Sequence, residues 1–200
     1  MSGTETSTKI LQAARRCLLS DGYAALSTRK VAEDAGVPLS QIHYHFGSKE
    51  EMVLSLLRAE NERLLDRQAE MFATDLPLWR RWDLACDYLD EDLDSGYVRV
   101  LQEMTAAGWS SEAVGKEVRE MLMGWHEVLT TGARAAAAAG LALPGLDPEH
   151  LAMIVGSAFL GAEVKILLGL EEEGQHEREA LRRIGDLIRV VEEGEERDEG

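Results

Sequence analysis

Two hundred residues, 45% of them apolar, suffice for a small domain plus a larger one with a hydrophobic core. The formal charge of −16 excludes a purely electrostatic nucleic-acid binder. Cys17 and Cys86 are far apart and form no C-x-x-C, so they read as buried, reduced thiols. No secretory leader begins the chain, and the expected compartment is the cytoplasm.

Sustained alternation and Asn-Gly hairpins are absent while helical periodicity runs throughout, so the fold class is all-α with about nine helices. Residues 1–5 read as frayed. A first helix over 9–21 carries Ile10, Ala14, Cys17 and Leu18 on one side, is capped by Thr6-Ser7-Thr8 and stops at Gly22. Residues 27–46 then read as two short helices joined by a tight turn. Val31, Ala32 and Ala35 give the first a small apolar stripe, and Gly36 ends it by taking positive φ at little steric cost. Val37 points to the core, and Pro38 suits the first turn of the next helix. Ile42 and Phe46, four apart, anchor that helix, leaving Leu39, Ser40, Gln41, His43 and Tyr44 outward. A helix-turn-helix of this size has one common use, holding its second helix in the major groove of DNA.

Ser48 and Glu51 have capping-box spacing and open a long fourth helix, 49 to about 73, with Lys49 in its first turn. A fifth helix runs over 77–94 and a sixth over 97–107. A seventh covers 111–140, with Val114, Val118, Leu122, Trp125 and Leu129 as its inward stripe. The Leu143-Pro144-Gly145 break precedes an eighth helix over 148–168, and a ninth spans 177–191. Residues 192–200 read as an acidic, disordered tail. The eighth helix is apolar nearly all round, which predicts burial on more than one side. Glu163, Lys165 and several glycines argue for a core helix over a membrane span. A second copy of the chain is the simplest cover, the alternative being a monomer with this helix at its centre.

The charge divides unevenly. Residues 1–50 hold six basic and five acidic side chains, a net of +1, which leaves −17 for the rest. Local charge near the phosphates sets affinity, and a distant acidic body discourages non-specific adhesion. Gln41 has the amide geometry for adenine, and Arg29 suits guanine or a phosphate. Ser40 and His43 are adaptable polar contacts, and Leu39 suits a thymine methyl. His43-x-His45 is no metal pair, because i and i+2 point apart on a helix and no Cys or carboxylate cluster joins them. Five scattered histidines form no convergent catalytic set, so no enzyme and no cofactor are expected.

The Gly22-Tyr23 corner, Thr28, the Ala35-Gly36-Val37 turn and the run Ile42-His43-Tyr44-His45-Phe46-Gly47-Ser48-Lys49-Glu50 resemble the TetR family of bacterial regulators, over roughly residues 8–60. The resemblance implies a DNA-binding head over 1–48 and a helical ligand-binding and dimerisation body over 49–191. It makes Thr28, Tyr44 and Lys49 phosphate ligands and adds His45, which a local helix-end role would equally explain. It also implies a homodimer through the last two helices, a palindromic operator as partner, no membrane, and a repressor released by a small, largely apolar effector. The effector would lie among helices four to eight, where Trp82, Met104, Trp125 and Phe159 are the candidate contacts. Glu163 and His126 are candidates for its polar end; ordinary core or solvent-facing placement is the alternative for each. A helical adaptor without a DNA role is the rival reading, but it leaves the polar face of residues 39–45 unexplained.

Overall fold

The computed structural model describes residues 3–138, 140, 145–170, 172 and 176–198, with side chains as far as residue 193. Every regular element among them is a helix: α1 (Gly3–Ala25), α2 (Thr28–Ala35), α3 (Leu39–Phe46), α4 (Lys49–Phe72), α5 (Leu78–Ser95), α6 (Tyr97–Gly108), α7 (Glu112–Ala138), α8 (Pro148–Leu167) and α9 (Glu177–Asp198). Packing separates two units. One comprises residues 1–63 and 96–121, the other 64–95 and 122–200, so α4 and α7 each contribute to both.

In the first unit α1 packs against α2, α3 and α6, and α2 packs against α3. Ile10 and Leu18 of α1, Val31 of α2, Ile42 of α3, Met52, Val53 and Leu57 of α4, and Val98 and Met104 of α6 are almost completely buried. Each such side chain contributes roughly 1.5–3 kcal/mol relative to exposure. More of the chain therefore packs with the head than a division at residue 48 assigns to it. The long α4 buries its first half there, and α6 supplies apolar residues that the short α2 and α3 lack.

In the second unit α9 packs against α5 and α8. Arg178 and Arg182 of α9 pair with Asp87 and Asp90 of α5, with N–O distances of 2.8 Å. Burial pushes the Cys86 thiol on α5 up to about 12, and Cys17 is likewise raised by burial. Both cysteines are free thiols.

Three expectations change. α1 starts at Gly3 because Ser7 and Thr8 do not cap it. Their hydroxyls donate back to the Thr4 carbonyl at 3.1 and 3.0 Å, inside the helix. α9 continues to Asp198, well past residue 191. Glu192 is no tail residue, since its carboxylate accepts the N–H groups of Leu78 and Trp79 at 2.8 and 2.9 Å and so caps α5. α8, expected to be enclosed, is buried along one side only, by Ala152, Gly156, Phe159, Ala162 and Glu163. Its Met153, Ile154, Val164 and Leu167 stay exposed within one chain, so it is not the centre of a monomer. By length and composition alone α8 is apolar enough to cross a membrane. Leu143 and Pro144 of the anticipated break, with residues 1–2 and 199–200 of the termini, lie outside the described residues.

Candidate nucleic-acid interface

The turn between α2 and α3 is set by backbone chemistry. Ser27 caps α2, its hydroxyl accepting the Lys30 N–H at 3.2 Å. Gly36 closes the helix at φ 63, ψ 37, and the Val37 N–H returns to the Ala32 carbonyl at 3.0 Å. Pro38 stands just outside α3 as its N-cap, with φ −59, one place earlier than its expected position inside the first turn. Ile42 then seals the inner side at 0% exposure, while Phe46 and Ala35 are half-buried.

On the opposite side Tyr44 is 81% exposed. Ser40 and His43 are also exposed, and Leu39, Gln41 and His45 are half-buried. His43 Nδ1 donates to the Gly47 carbonyl at 3.1 Å, which leaves Nε2 for an incoming group. His45 lies edge-on to Tyr44, with centroids 5.0 Å apart, and near Phe46 at 6.1 Å. Its ring therefore buttresses the tyrosine.

The head's positive charge is mostly spoken for. Arg16 pairs with Asp34 at 2.6 Å, Lys30 pairs with Asp21, and Arg15 reaches Glu60 at 3.9 Å. Lys30 holds the Asp21 carboxyl below its ordinary range. Arg29 is exposed and forms no ion pair among the described residues. Thr28 is half-buried at the start of α2.

Ser48 accepts the Glu51 N–H at 3.0 Å, as the capping spacing predicts. The reciprocal half of the box is missing, because Glu51 is taken by Arg58 at 2.6 Å and the Ser48 N–H goes to the Phe46 carbonyl at 2.8 Å. Lys49 is half-buried, donates to the Tyr23 carbonyl at 3.2 Å and sits 4.4 Å from the Tyr23 ring centroid. The Tyr23 N–H in turn donates to Glu103, which Arg99 binds at 3.1 Å, so Arg99 and Glu103 join this site although no sequence motif marks them. Their i,i+4 spacing looks like an ordinary solvated pair, and nothing local reveals a target eighty residues away.

The candidate effector residues separate. Trp82, Phe159 and Trp125 meet in the second unit. The Phe159 ring lies edge-on to both indoles, with centroids 5.6 and 6.5 Å apart. Trp82 Nε1 donates to the Leu181 carbonyl at 2.7 Å and Trp125 Nε1 to Gln68 Oε1 at 2.8 Å. Both indole N–H groups are satisfied, so the cluster offers only ring surface. Met104 is fully buried in the first unit and is not part of this cluster. Glu163 is buried, and His126 is half-buried near the Thr130 hydroxyl.

The family of bacterial regulatory proteins termed tetR matches residues 10–56. The HTH-type transcriptional repressor AcnR of Corynebacterium efficiens is 36% identical over 62 residues, 31% of this chain and 33% of the relative. The chain thus matches about a third of the length of such curated relatives. Among solved structures, a TetR transcription regulator from Haloarcula marismortui superposes with a TM-score of 0.78 at 22% identity, covering 92% of this chain and 96% of the other. The transcriptional regulator FadR of Bacillus subtilis, in complex with stearoyl-CoA, does so with 0.75 at 16% identity, covering the same shares.

Proposed function

We propose that this chain, which belongs to the TetR family of bacterial regulatory proteins through residues 10–56, is a sequence-specific DNA-binding transcriptional regulator and not an enzyme. It acts in the cytoplasm as a repressor that a small molecule releases from a palindromic operator. One observation carries the reading: α3 clamps Ile42 completely while Tyr44 on its other side is 81% exposed. A polar, exposed flank on an eight-residue helix stabilises no core and suits base edges.

Residues 1–48 form the reading module. Gln41, Ser40, His43 and Leu39 face bases. Arg29 takes guanine or a phosphate, Thr28, Tyr44 and Lys49 hold the backbone, and His45 keeps Tyr44 oriented. A homodimer forms through α8 and α9, whose exposed Met153, Ile154, Val164, Leu187 and Val190 support a second copy as their cover. Two heads about 34 Å apart then read one face of the duplex. The effector is largely apolar and contacts the Trp82–Phe159–Trp125 cluster. The stearoyl-CoA complex of the similar FadR protein supports an apolar ligand class. Such a ligand shifts DNA affinity by its differential affinity for two states, typically about 1–3 kcal/mol.

Recovery of genomic fragments by the purified protein, followed by sequencing and footprinting, tests the reading. A protected palindrome near the protein's own gene is the expected result. Random fragments, or none, would overturn it in favour of a helical adaptor.

A further inference from the structure

We infer that Glu103 and Arg99 of α6 are positioning residues for DNA binding, because together they replace a broken hydrogen bond of α1 and thereby hold the backbone of Tyr23, the residue on which Lys49 rests. The inference depends on the DNA-binding reading above.

In a continuous helix the Tyr23 N–H would donate to the Leu19 carbonyl, four residues earlier. Gly22, at φ 78 and ψ 167, opens the ladder at this point and strands both groups. α6 satisfies both. The Tyr23 N–H donates to Glu103, and Arg99 Nη1 donates to the Leu19 carbonyl at 2.9 Å. Arg99 and Glu103 are themselves bonded at 3.1 Å, so a charged pair stands where one backbone bond would be. A β-carbon on Gly22 would lie 3.3 Å from a Glu103 carboxylate oxygen, which shows how closely the carboxylate approaches the break.

The other side of the same residue faces α4. The Tyr23 carbonyl accepts from Lys49 Nζ at 3.2 Å, and the tyrosine ring lies beneath the ammonium. An ammonium has three N–H donors, so one bond to Tyr23 leaves two for a phosphate. Glu103 therefore touches no nucleic acid, yet it holds the backbone that aims Lys49. The Tyr23 carbonyl also accepts the Leu26 N–H at 3.3 Å, whereas the Tyr23 N–H and the Leu19 carbonyl are held from α6, so a shift of α6 relative to α1 would free both stranded groups at once.

The test measures binding of wild type, E103A, K49A and the double variant to the recovered palindromic fragment by fluorescence anisotropy across a salt series. E103A should bind about tenfold more weakly and lose close to one unit of salt slope, because one phosphate contact is misplaced. The double variant should bind no more weakly than K49A alone. Wild-type affinity and slope in E103A, or additive losses in the double variant, would overturn the inference. Should E103A fail to fold, R99A decides instead. It keeps the Glu103 acceptor but strands the Leu19 carbonyl, and it should show a smaller loss in the same direction, with wild-type binding overturning the inference. If wild type itself recovers and binds no DNA, the functional reading fails and these variants are not reached.

Discussion

Single residues divide into those that shape the head and those that face the nucleic acid. Gly36 belongs to the first group. Its φ of 63 is a conformation that L side chains adopt poorly, while nothing lies within 4 Å of an added β-carbon. Gly36→Ala should therefore cost about 1 kcal/mol through backbone strain alone, and Gly36→Asn less. Thermal melts of the two variants check this. Arg29 belongs to the second group, since its guanidinium is exposed and carries no intramolecular ion pair among the described residues. Arg29→Ala should leave the melting temperature unchanged. On a phosphate it should weaken binding equally for all DNA sequences and lower the salt slope by about one. On guanine it should relax specificity at one base pair at a cost of about 1–3 kcal/mol. Competition binding with mutated operators separates the two roles. The spacing of Ile42 and Phe46 places Leu39, Gln41 and Tyr44 on the outer face. Tyr44 is fully outward, whereas Leu39 and Gln41 are half-covered, because one side of an eight-residue helix is too narrow to hold five residues clear of its neighbours.

Among elements, α4 shows how a helix is secured away from its caps. Arg58 binds Glu51 at 2.6 Å on its own helix and Glu117 of α7 at 2.7 Å. The guanidinium holds the Glu117 carboxyl below its ordinary value of 4.5. A lowered carboxyl pKa contributes stability that is complete above the unfolded value and disappears as the pH falls through the folded value. The head should therefore lose on the order of 0.5 kcal/mol from this pair on acidification below about pH 4.5, the figure being small because Arg58 is partly solvated. Glu117→Gln should flatten that acid-side loss in melts between pH 5 and 3. An equally steep loss in the variant would show that the pair does not couple to folding. The helix start at Ser48 was legible as local side-chain chemistry. The cap on α5 was not, because Glu192 lies 114 residues from the Leu78 N–H it accepts. Helix extents show the same contrast, and α9 runs on to Asp198 past its apolar stripe.

At the scale of the whole molecule, charge follows the packing. The first unit carries eleven basic and twelve acidic side chains, the second ten and twenty-five. The unit that presents α3 is thus close to neutral, and the acidic excess belongs to the unit carrying the aromatic cluster and the exposed α8–α9 residues. Leu187 at 67% and Val190 at 68% exposure are the most open apolar positions of α9 in a single chain. Replacing both with Lys should yield a monomer in analytical ultracentrifugation, with the helical content retained. Operator affinity should fall by about 10²–10⁴, the advantage lost when two linked heads become separate. A variant that remains dimeric would move the interface elsewhere on the chain.

The amino-acid order alone determined the helical class, the position of nearly every helix and the turn that presents α3. Each of these follows from apolar periodicity, caps and one positive-φ glycine, all readable within a few residues. Tertiary structure decided what α6 does, which candidate effector residues meet, and how far α8 is covered. Glu103 reaches Tyr23, and Trp82 reaches Phe159, only because chain segments some eighty residues apart pack together. No periodicity encodes such a pairing, since its free energy arises from desolvation and contact that exist only once the helices have met.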